Sequence, residues 1–93
     1  MVLESAFLHI KPGQSAAFEE AFRQAKGIIA QSHGFIALDL KKCMEETNKY
    51  LLLVQWETLE DHTLGFRKSA AYATWASLLH HFYEPFPIVE HYI

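Results

Sequence analysis

The stretch YLLLVQWE, residues 50–57, is a nearly continuous run of apolar and aromatic residues. Its length and its richness in strand-forming residues predict a β-strand. A strand with one face in water would alternate apolar and polar residues, and this one does not. We therefore expect residues 50–57 to form a central strand that is covered on both faces.

Upstream of this strand, the pattern predicts a strand, a helix and a second strand. MVLESAFLHI (residues 1–10) alternates in part and is stopped by KPG. From Ser15, apolar residues recur at steps of three and four, which is typical of an amphipathic helix that ends near QSHG, with Gly34 available for a left-handed cap. FIALDLKKCM (residues 35–44) alternates again, and the polar EETNK is short enough to join it to residues 50–57 as a hairpin.

Downstream, two helical pieces precede a last strand. Thr58 with Asp61 fits a capping box, so a short helix should begin here, and Gly65 can end it. Ser69 can cap the next helix, on which apolar and aromatic residues share one face. Proline residues close that helix, and IVEHYI (residues 88–93) predicts the final strand.

The predicted order β-α-β-β-α-β places all of residues 1–93 in one domain with two right-handed crossovers on one antiparallel sheet. This is the ferredoxin-like α+β sandwich. Two helices cover one sheet face, while the other face is bare in a monomer. Hydrophobic residues make up 51% of this 93-residue chain and aromatics 14%, which is rich for so small a domain. Both arguments predict a homodimer in which a partner's sheet covers the bare face.

Composition excludes several classes of partner. The net charge of −3 and the scattered lysines and arginines argue against nucleic acid, although RNA-recognition modules share this element order. The single Cys43 excludes an internal disulfide and fits a reducing compartment. We see no signal peptide and nothing near the ~18 consecutive apolar residues of a membrane span. We expect a soluble, cytoplasmic protein with no membrane partner.

No strong catalytic or metal motif is present: the chain has no Gly-rich phosphate loop, no C-x-x-C and no H-E-x-x-H. Neighbouring His80 and His81 would point ~100° apart on a helix and could not easily share a metal. His9 and His91 lie near the ends of strands that should be antiparallel neighbours, which separates them. We expect no metal site.

His62 is the candidate catalytic residue because of its predicted position. The short helix should lie over the mouth between the main helices and the sheet. Phe66, Tyr72 and Trp75 are spaced to line the same cavity, with Trp56 at the nearby strand end. An aromatic-walled cleft with one imidazole suits a flat, mostly apolar ligand that carries ionisable hydroxyls. The alternative is that the aromatics are core residues and that His62 faces solvent.

A strand ending in Trp56, then ETLEDHTLGFRKSAAYATW (residues 57–75) and PFPIVEHYI (residues 85–93), resembles the antibiotic biosynthesis monooxygenase family. The resemblance covers essentially the whole chain. It implies a dimeric α+β barrel with one pocket per subunit, and oxidation of quinols or anthrones by molecular oxygen without metal, flavin or other cofactor. It further implies that His62 is the base or the partner of the substrate anion, that Trp56, Phe66, Tyr72 and Trp75 are the substrate-binding walls, and that Arg67 could help to stabilise negative charge.

The haem-degrading branch of the same superfamily uses an Asn, a Trp and a His where this chain has Ser5, Phe66 and Ala76. Haem degradation is therefore not expected. Two further hypotheses remain open. One is a small-molecule binding or sensor dimer, which would not need a fixed His62 tautomer. The other is a structural dimerisation domain, in which the aromatic residues themselves would fill the cavity.

Overall fold

The strand at the centre of the sequence is also central in the sheet. In the computed structural model, which describes all 93 residues, β3 (Lys49–Trp56) pairs with both β2 (Phe35–Lys42) and β1 (Val2–His9). The edge strand β4 (Val89–Tyr92) pairs with β1, so the order is β2-β3-β1-β4, antiparallel throughout. The predicted central position of residues 50–57 is confirmed.

Two helices pack on one face of this sheet, α1 (Ser15–Ile29) and α2 (Ala70–Leu79). Between β3 and α2 lies a six-residue helix, Asp61–Phe66, called the short helix below, and one 3₁₀ turn, His80–Phe82, follows α2. The ferredoxin-like α+β fold predicted from the sequence is confirmed. Neither main helix has the length and apolar character needed to cross a bilayer.

The core lies between the helices and the inner face of the sheet. Along β3, Tyr50, Leu52, Val54 and Trp56 point inward and are at most 4% exposed. Phe18 of α1 packs its ring 5.0 Å from that of Tyr50. Burying several large side chains of this kind, each of which contributes about 1.5–3 kcal/mol, is what holds the helices on the sheet.

The outer face of the sheet carries apolar side chains that the chain itself does not cover. Residues of β1 and β3 that alternate with the buried ones remain half-buried or exposed, and the Phe7 side chain is 53% exposed. The apolar members of this face are Leu3, Phe7, Leu51, Leu53 and Tyr92. The predicted dimer would bury them, and it stays a prediction.

The chain becomes helical at Leu59, directly after the predicted cap Thr58, and stays helical through Phe66, one residue past the predicted end at Gly65. Thr58 Oγ1 accepts the Asp61 N–H at 3.1 Å, and Ser69 Oγ accepts the Tyr72 N–H at the start of α2. Gly65 does not end the helix. The helix is wound as a π-helix, in which the Arg67 N–H donates to the His62 carbonyl five residues earlier. This winding carries Phe66, which is 3% exposed, into the core.

Gly34 lies in the turn before β2, where φ is +80° and its carbonyl accepts the Glu57 N–H at 2.8 Å. The helix α1 itself ends earlier, at Ile29, with Ala30 in right-handed conformation at its cap. A Cβ at position 34 would lie 2.7 Å from the Asp61 Cβ and closer still to its carboxylate. That carboxylate bonds His33 and Thr58. The turn and the short helix therefore fit together only with glycine at this position.

We expect Gly34→Ala to destabilise the protein more than Gly13→Ala does. Both glycines have φ near +80°, but a Cβ at Gly13 meets nothing within 4 Å. The left-handed backbone costs each variant about 1–2 kcal/mol. Only the Gly34 variant must also move Asp61 and its hydrogen bonds, a further loss of about 1 kcal/mol or more. Urea unfolding of the two variants measures the difference, and equal losses would contradict the packing argument.

We expect Phe7→Lys to convert a dimer to a monomer without unfolding the chain. The lysine would place a charge in the middle of the apolar outer face, where a partner's sheet is predicted to pack. Exposed Met44, in the hairpin between β2 and β3, provides the control Met44→Lys. Sedimentation velocity gives the mass of each variant. A Phe7→Lys protein that remains dimeric would show that another surface forms the dimer.

Candidate active site

A cavity of about 400 Å³ lies between the inner face of the sheet and the helices. Its volume falls in the range of small-molecule sites. Ten of its fifteen lining residues are hydrophobic. The charged side chains, imidazoles and aromatic hydroxyls in the lining belong to Glu4, His62, Arg67, Tyr72, His80 and Tyr83. In a purely structural domain the aromatic side chains would fill this space, whereas here they leave it open.

Three of the four predicted walls line the cavity. Phe66 meets Tyr72 and Trp75 edge-on, with ring centroids 5.4 and 5.8 Å apart. Phe22 of α1 supports Trp75 from behind at 5.9 Å, again edge-on. These contacts hold the walls in fixed orientations. Their part in substrate binding stays a prediction.

Trp56, the fourth predicted wall, does not reach the cavity surface. Its side chain is 0% exposed and is absent from the cavity lining. Its ring stacks on His62 at 5.4 Å between centroids, with 18° between planes, and packs against Phe35 and Phe66. Trp56 is the last inward-pointing residue of β3, and the ring of His62 from the short helix lies over its ring. Trp56 therefore supports the imidazole and is not a surface that a ligand would touch.

His62 lies in the cavity wall, as the sequence suggested, and does not face solvent. It is 3% exposed, although Leu64 and Gly65 of the same short helix are exposed. One ring nitrogen, Nε2, is 3.4 Å from Glu4 Oε1, and the other, Nδ1, is 2.8 Å from His91 Nε2. Both nitrogens therefore have a partner, which fixes the ring orientation and restricts its tautomer.

Glu4 is a functional candidate that the sequence interpretation missed. It is 6% exposed on β1, and its Oε1 accepts the Trp56 Nε1–H at 2.9 Å. The signal was present, because Glu4 has the same strand parity as the buried Ala6 and Leu8. A charged residue at an inward strand position is unusual unless it is paired or functional. Ser5, compared above with the Asn of haem-degrading relatives, points instead to the outer face opposite Leu53.

His91 was also missed as a partner of His62. The β1–β4 register sets His91 directly opposite Glu4, so both side chains point to the inner face. His91 is half-buried on an edge strand and is not part of the cavity lining. It was correctly separated from His9, which pairs with Lys49 at the other end of β1. No group of three or more His, Cys, Asp or Glu side chains has an arrangement that could hold a metal ion.

Burial controls the protonation of this cluster. It lowers the pKa of His62 to about 4, with smaller contributions from the charges of Arg67 and His91. Burial also raises the pKa of the Glu4 carboxyl, against the opposing effects of the Trp56 N–H and Arg67. Desolvation likewise lowers the pKa of His91. At neutral pH both imidazoles are therefore uncharged, the form that accepts protons.

The opposite end of the cavity is aromatic with scattered polar atoms. His80 lies within 6 Å of the rings of Tyr72, Tyr83 and Phe86. Burial lowers the pKa of His80 and raises that of the Tyr83 hydroxyl, so both are neutral in the physiological range. This end can therefore contact a flat apolar ligand and donate hydrogen bonds without carrying charge.

Solved structures of other proteins share the fold of this chain. A protein of Bordetella bronchiseptica, assigned to the antibiotic biosynthesis monooxygenases, is 30% identical with a TM-score of 0.94, covering 99% of this chain and 94% of its own. SnoaB of Streptomyces nogalater, a cofactor-independent oxygenase, is 19% identical with a TM-score of 0.72, covering 98% of this chain and 87% of its own. The latter likeness concerns the fold alone.

Sequence comparison gives a nearer relative. YczJ of Bacillus subtilis (strain 168), whose function is uncharacterised, is 63% identical over 92 residues, which cover 99% of this chain and 97% of YczJ. The family model described as antibiotic biosynthesis monooxygenase matches residues 1–78. That span holds β1 to β3, the short helix and most of α2, and so includes Glu4, His62 and the aromatic walls. The chain therefore belongs to the antibiotic biosynthesis monooxygenase family.

Proposed function

We propose that this protein is a cofactor-independent monooxygenase that oxidises an aromatic hydroxyl compound of the quinol or anthrone type with molecular oxygen. The observation that carries the proposal is the state of His62. It is a neutral imidazole in the wall of an aromatic cavity, with Glu4 at one ring nitrogen and His91 at the other. A passive carrier needs no such fixed, uncharged base.

The chemistry needs a base and a dry pocket more than it needs a redox group. Once a phenol or enol loses its proton, the carbanion-like anion can supply the electrons for oxygen itself. For an anthrone, one oxygen atom replaces the two hydrogens of the CH₂ group as a carbonyl, and the other leaves with those hydrogens as water. His62 accepts the first proton, and Phe66, Tyr72 and Trp75 hold the anion away from water.

Charge on the substrate would be matched at the cavity edge. Arg67 lines the cavity and is the positive group whose charge reaches Glu4, His62 and His91. A guanidinium near a developing phenolate lowers the cost of ionising it. Glu4 has the complementary role, since its carboxylate stabilises the imidazolium that forms when His62 takes the proton.

The functional unit in this proposal is a cytoplasmic homodimer. The half-exposed apolar face of the sheet supports the dimer, because a partner's sheet would cover it and leave the cavity on the opposite face free. The single Cys43 supports a reducing compartment.

We expect oxygen uptake with hydroquinones or anthrones to fall by about 10²–10⁴-fold in His62→Gln, the range for loss of a positioned general base. An oxygen electrode measures the rate for protein freed of metal by chelation. Exposed His81 provides the matched control His81→Gln, which removes an imidazole outside the cavity. Circular dichroism and ligand binding verify that each variant is folded.

Two other outcomes would contradict the proposal in different ways. Equal uptake by the wild type and His62→Gln would keep the oxygenase and remove His62 from its mechanism. A folded wild-type protein that binds these aromatics and consumes no oxygen would instead be the binding or sensor module.

We expect Trp56→Phe to move the acid limb of the pH–rate profile to higher pH. Activity requires ionised Glu4, so it falls as pH decreases through the Glu4 pKa, which burial holds above its ordinary 4.5. Phenylalanine keeps a ring against His62 but removes the N–H that lowers this pKa. The profile of kcat/KM measures the limb. Trp75→Phe, whose ring does not bond Glu4, should leave the limb in place, and an unmoved limb in Trp56→Phe would exclude Glu4 as its cause.

A further inference from the structure

Glu4, His62 and His91 form a continuous line from the interior to the surface. Glu4 and His62 are 6% and 3% exposed, and His91 is half-buried on the edge strand. Their atoms follow one another as Glu4 Oε1, His62 Nε2 at 3.4 Å, His62 Nδ1, and His91 Nε2 at 2.8 Å. Three separate elements, β1, the short helix and β4, contribute one member each.

The outer end of this line is open to water. His91 makes one side-chain hydrogen bond, to His62. No buried side-chain nitrogen or oxygen of the protein lacks a partner. The remaining ring nitrogen of His91, Nδ1, is therefore not sealed inside and can exchange a proton with solvent. The inner end is different, because His62 and Glu4 both line the cavity while His91 does not.

We propose that His91 is the proton outlet of the cavity, through which the proton that a ligand gives to His62 leaves to water. This rests on the proposed function only in naming the ligand as an acidic aromatic hydroxyl compound. His91 is not part of the cavity lining, so it is a positioning and proton-transfer residue that acts through His62. His62 is 3% exposed, and the partner of its second ring nitrogen is His91, which offers a route to water outside the cavity.

Each transfer balances. The resting tautomer in this proposal has the His62 proton on Nδ1, donated to His91 Nε2, and leaves Nε2 free to accept the ligand proton. The ligand O–H gives its proton to His62 Nε2, where the Glu4 carboxylate accepts the new N–H. The Nδ1 proton of His62 passes to His91 Nε2, and the Nδ1 proton of His91 passes to water. The ligand anion and one released proton are the products, and both imidazoles end neutral but in the opposite tautomer, which must reverse before the next transfer.

The surroundings favour outward transfer. The ionisable groups whose charge acts on the three members are Arg67, which affects all of them, and Tyr83, which interacts with Glu4. Positive charge on Arg67 opposes a second positive charge on His62 or His91, so a proton is not retained on either ring. Burial lowers the pKa of His62 further than its neighbours' charges do.

The test uses the anthrone dithranol, mixed with the intact protein in the absence of oxygen. Absorbance of the anthrone anion reports ligand ionisation, and a pH-indicator dye in weak buffer reports proton release. We expect wild type to do both quickly. His91→Gln keeps a polar side chain of similar length near His62 but cannot relay a proton, and we expect it to slow release on the order of 10²-fold. His81→Gln is the control and should match wild type.

A second variant distinguishes proton relay through His91 from structural support by its ring. His91→Ala removes the ring at a half-exposed position, so added imidazole can take its place, and we expect release to recover in proportion to imidazole concentration. Structural damage would not respond in this way. Release by His91→Gln at the wild-type rate, or His91→Ala slowed but unresponsive to imidazole, would overturn the proposal.

Because oxygen is absent from this experiment, its result does not depend on whether the protein is an oxygenase. A wild type that binds dithranol and releases no proton overturns the outlet, whatever the oxygen electrode shows. Prompt release through His91 in a protein that later consumes no oxygen supports the outlet and removes the oxygenase.

Discussion

A buried carboxylate is stable only where donors meet it, and the hydrogen bond from Trp56 Nε1–H to Glu4 Oε1 at 2.9 Å supplies one inside this fold. It ties β1 to the end of β3 and sets the ring plane of Trp56. That plane is the surface on which His62 stacks at 5.4 Å. The position of the imidazole, its distance to His91 and the shape of the nearby cavity therefore depend on this bond.

The sheet separates two tasks because its side chains alternate. Inward residues of β1 and β4 include Glu4 and His91, which place ionisable side chains next to His62, while Phe7 and its neighbours leave an apolar surface on the opposite side. A partner subunit could cover that surface without touching the cavity. Assembly and chemistry can thus vary independently, since a change of one residue in a strand affects one face only.

Sequence patterns predicted the fold because every element carried a local signal. The apolar run at residues 50–57, the caps at Thr58 and Ser69 and the helical period from Ser15 are visible without any partner. The site was predicted only in part. His62, Phe66, Tyr72 and Trp75 follow one another closely in the chain. Glu4 and His91, which strand pairing sets opposite each other, lie 58 and 29 residues from His62 in sequence. Trp56 was predicted to be a cavity wall, but His62 and Phe66 pack against its ring and it is absent from the lining. The sequence alone does not show which side chains will cover the end of a strand.

Stability alone does not account for the cluster. A buried ionisable pair contributes little to folding, and apolar residues of the same volume often serve as well or better. Here the chain places a carboxylate and an imidazole side by side in the interior, each with a pKa moved by burial against its charged form. Such paired and opposite shifts are typical of groups that exchange protons with a ligand. In the proposed function, the aromatic walls set the shape of the ligand and the Glu4–His62 pair takes up its proton.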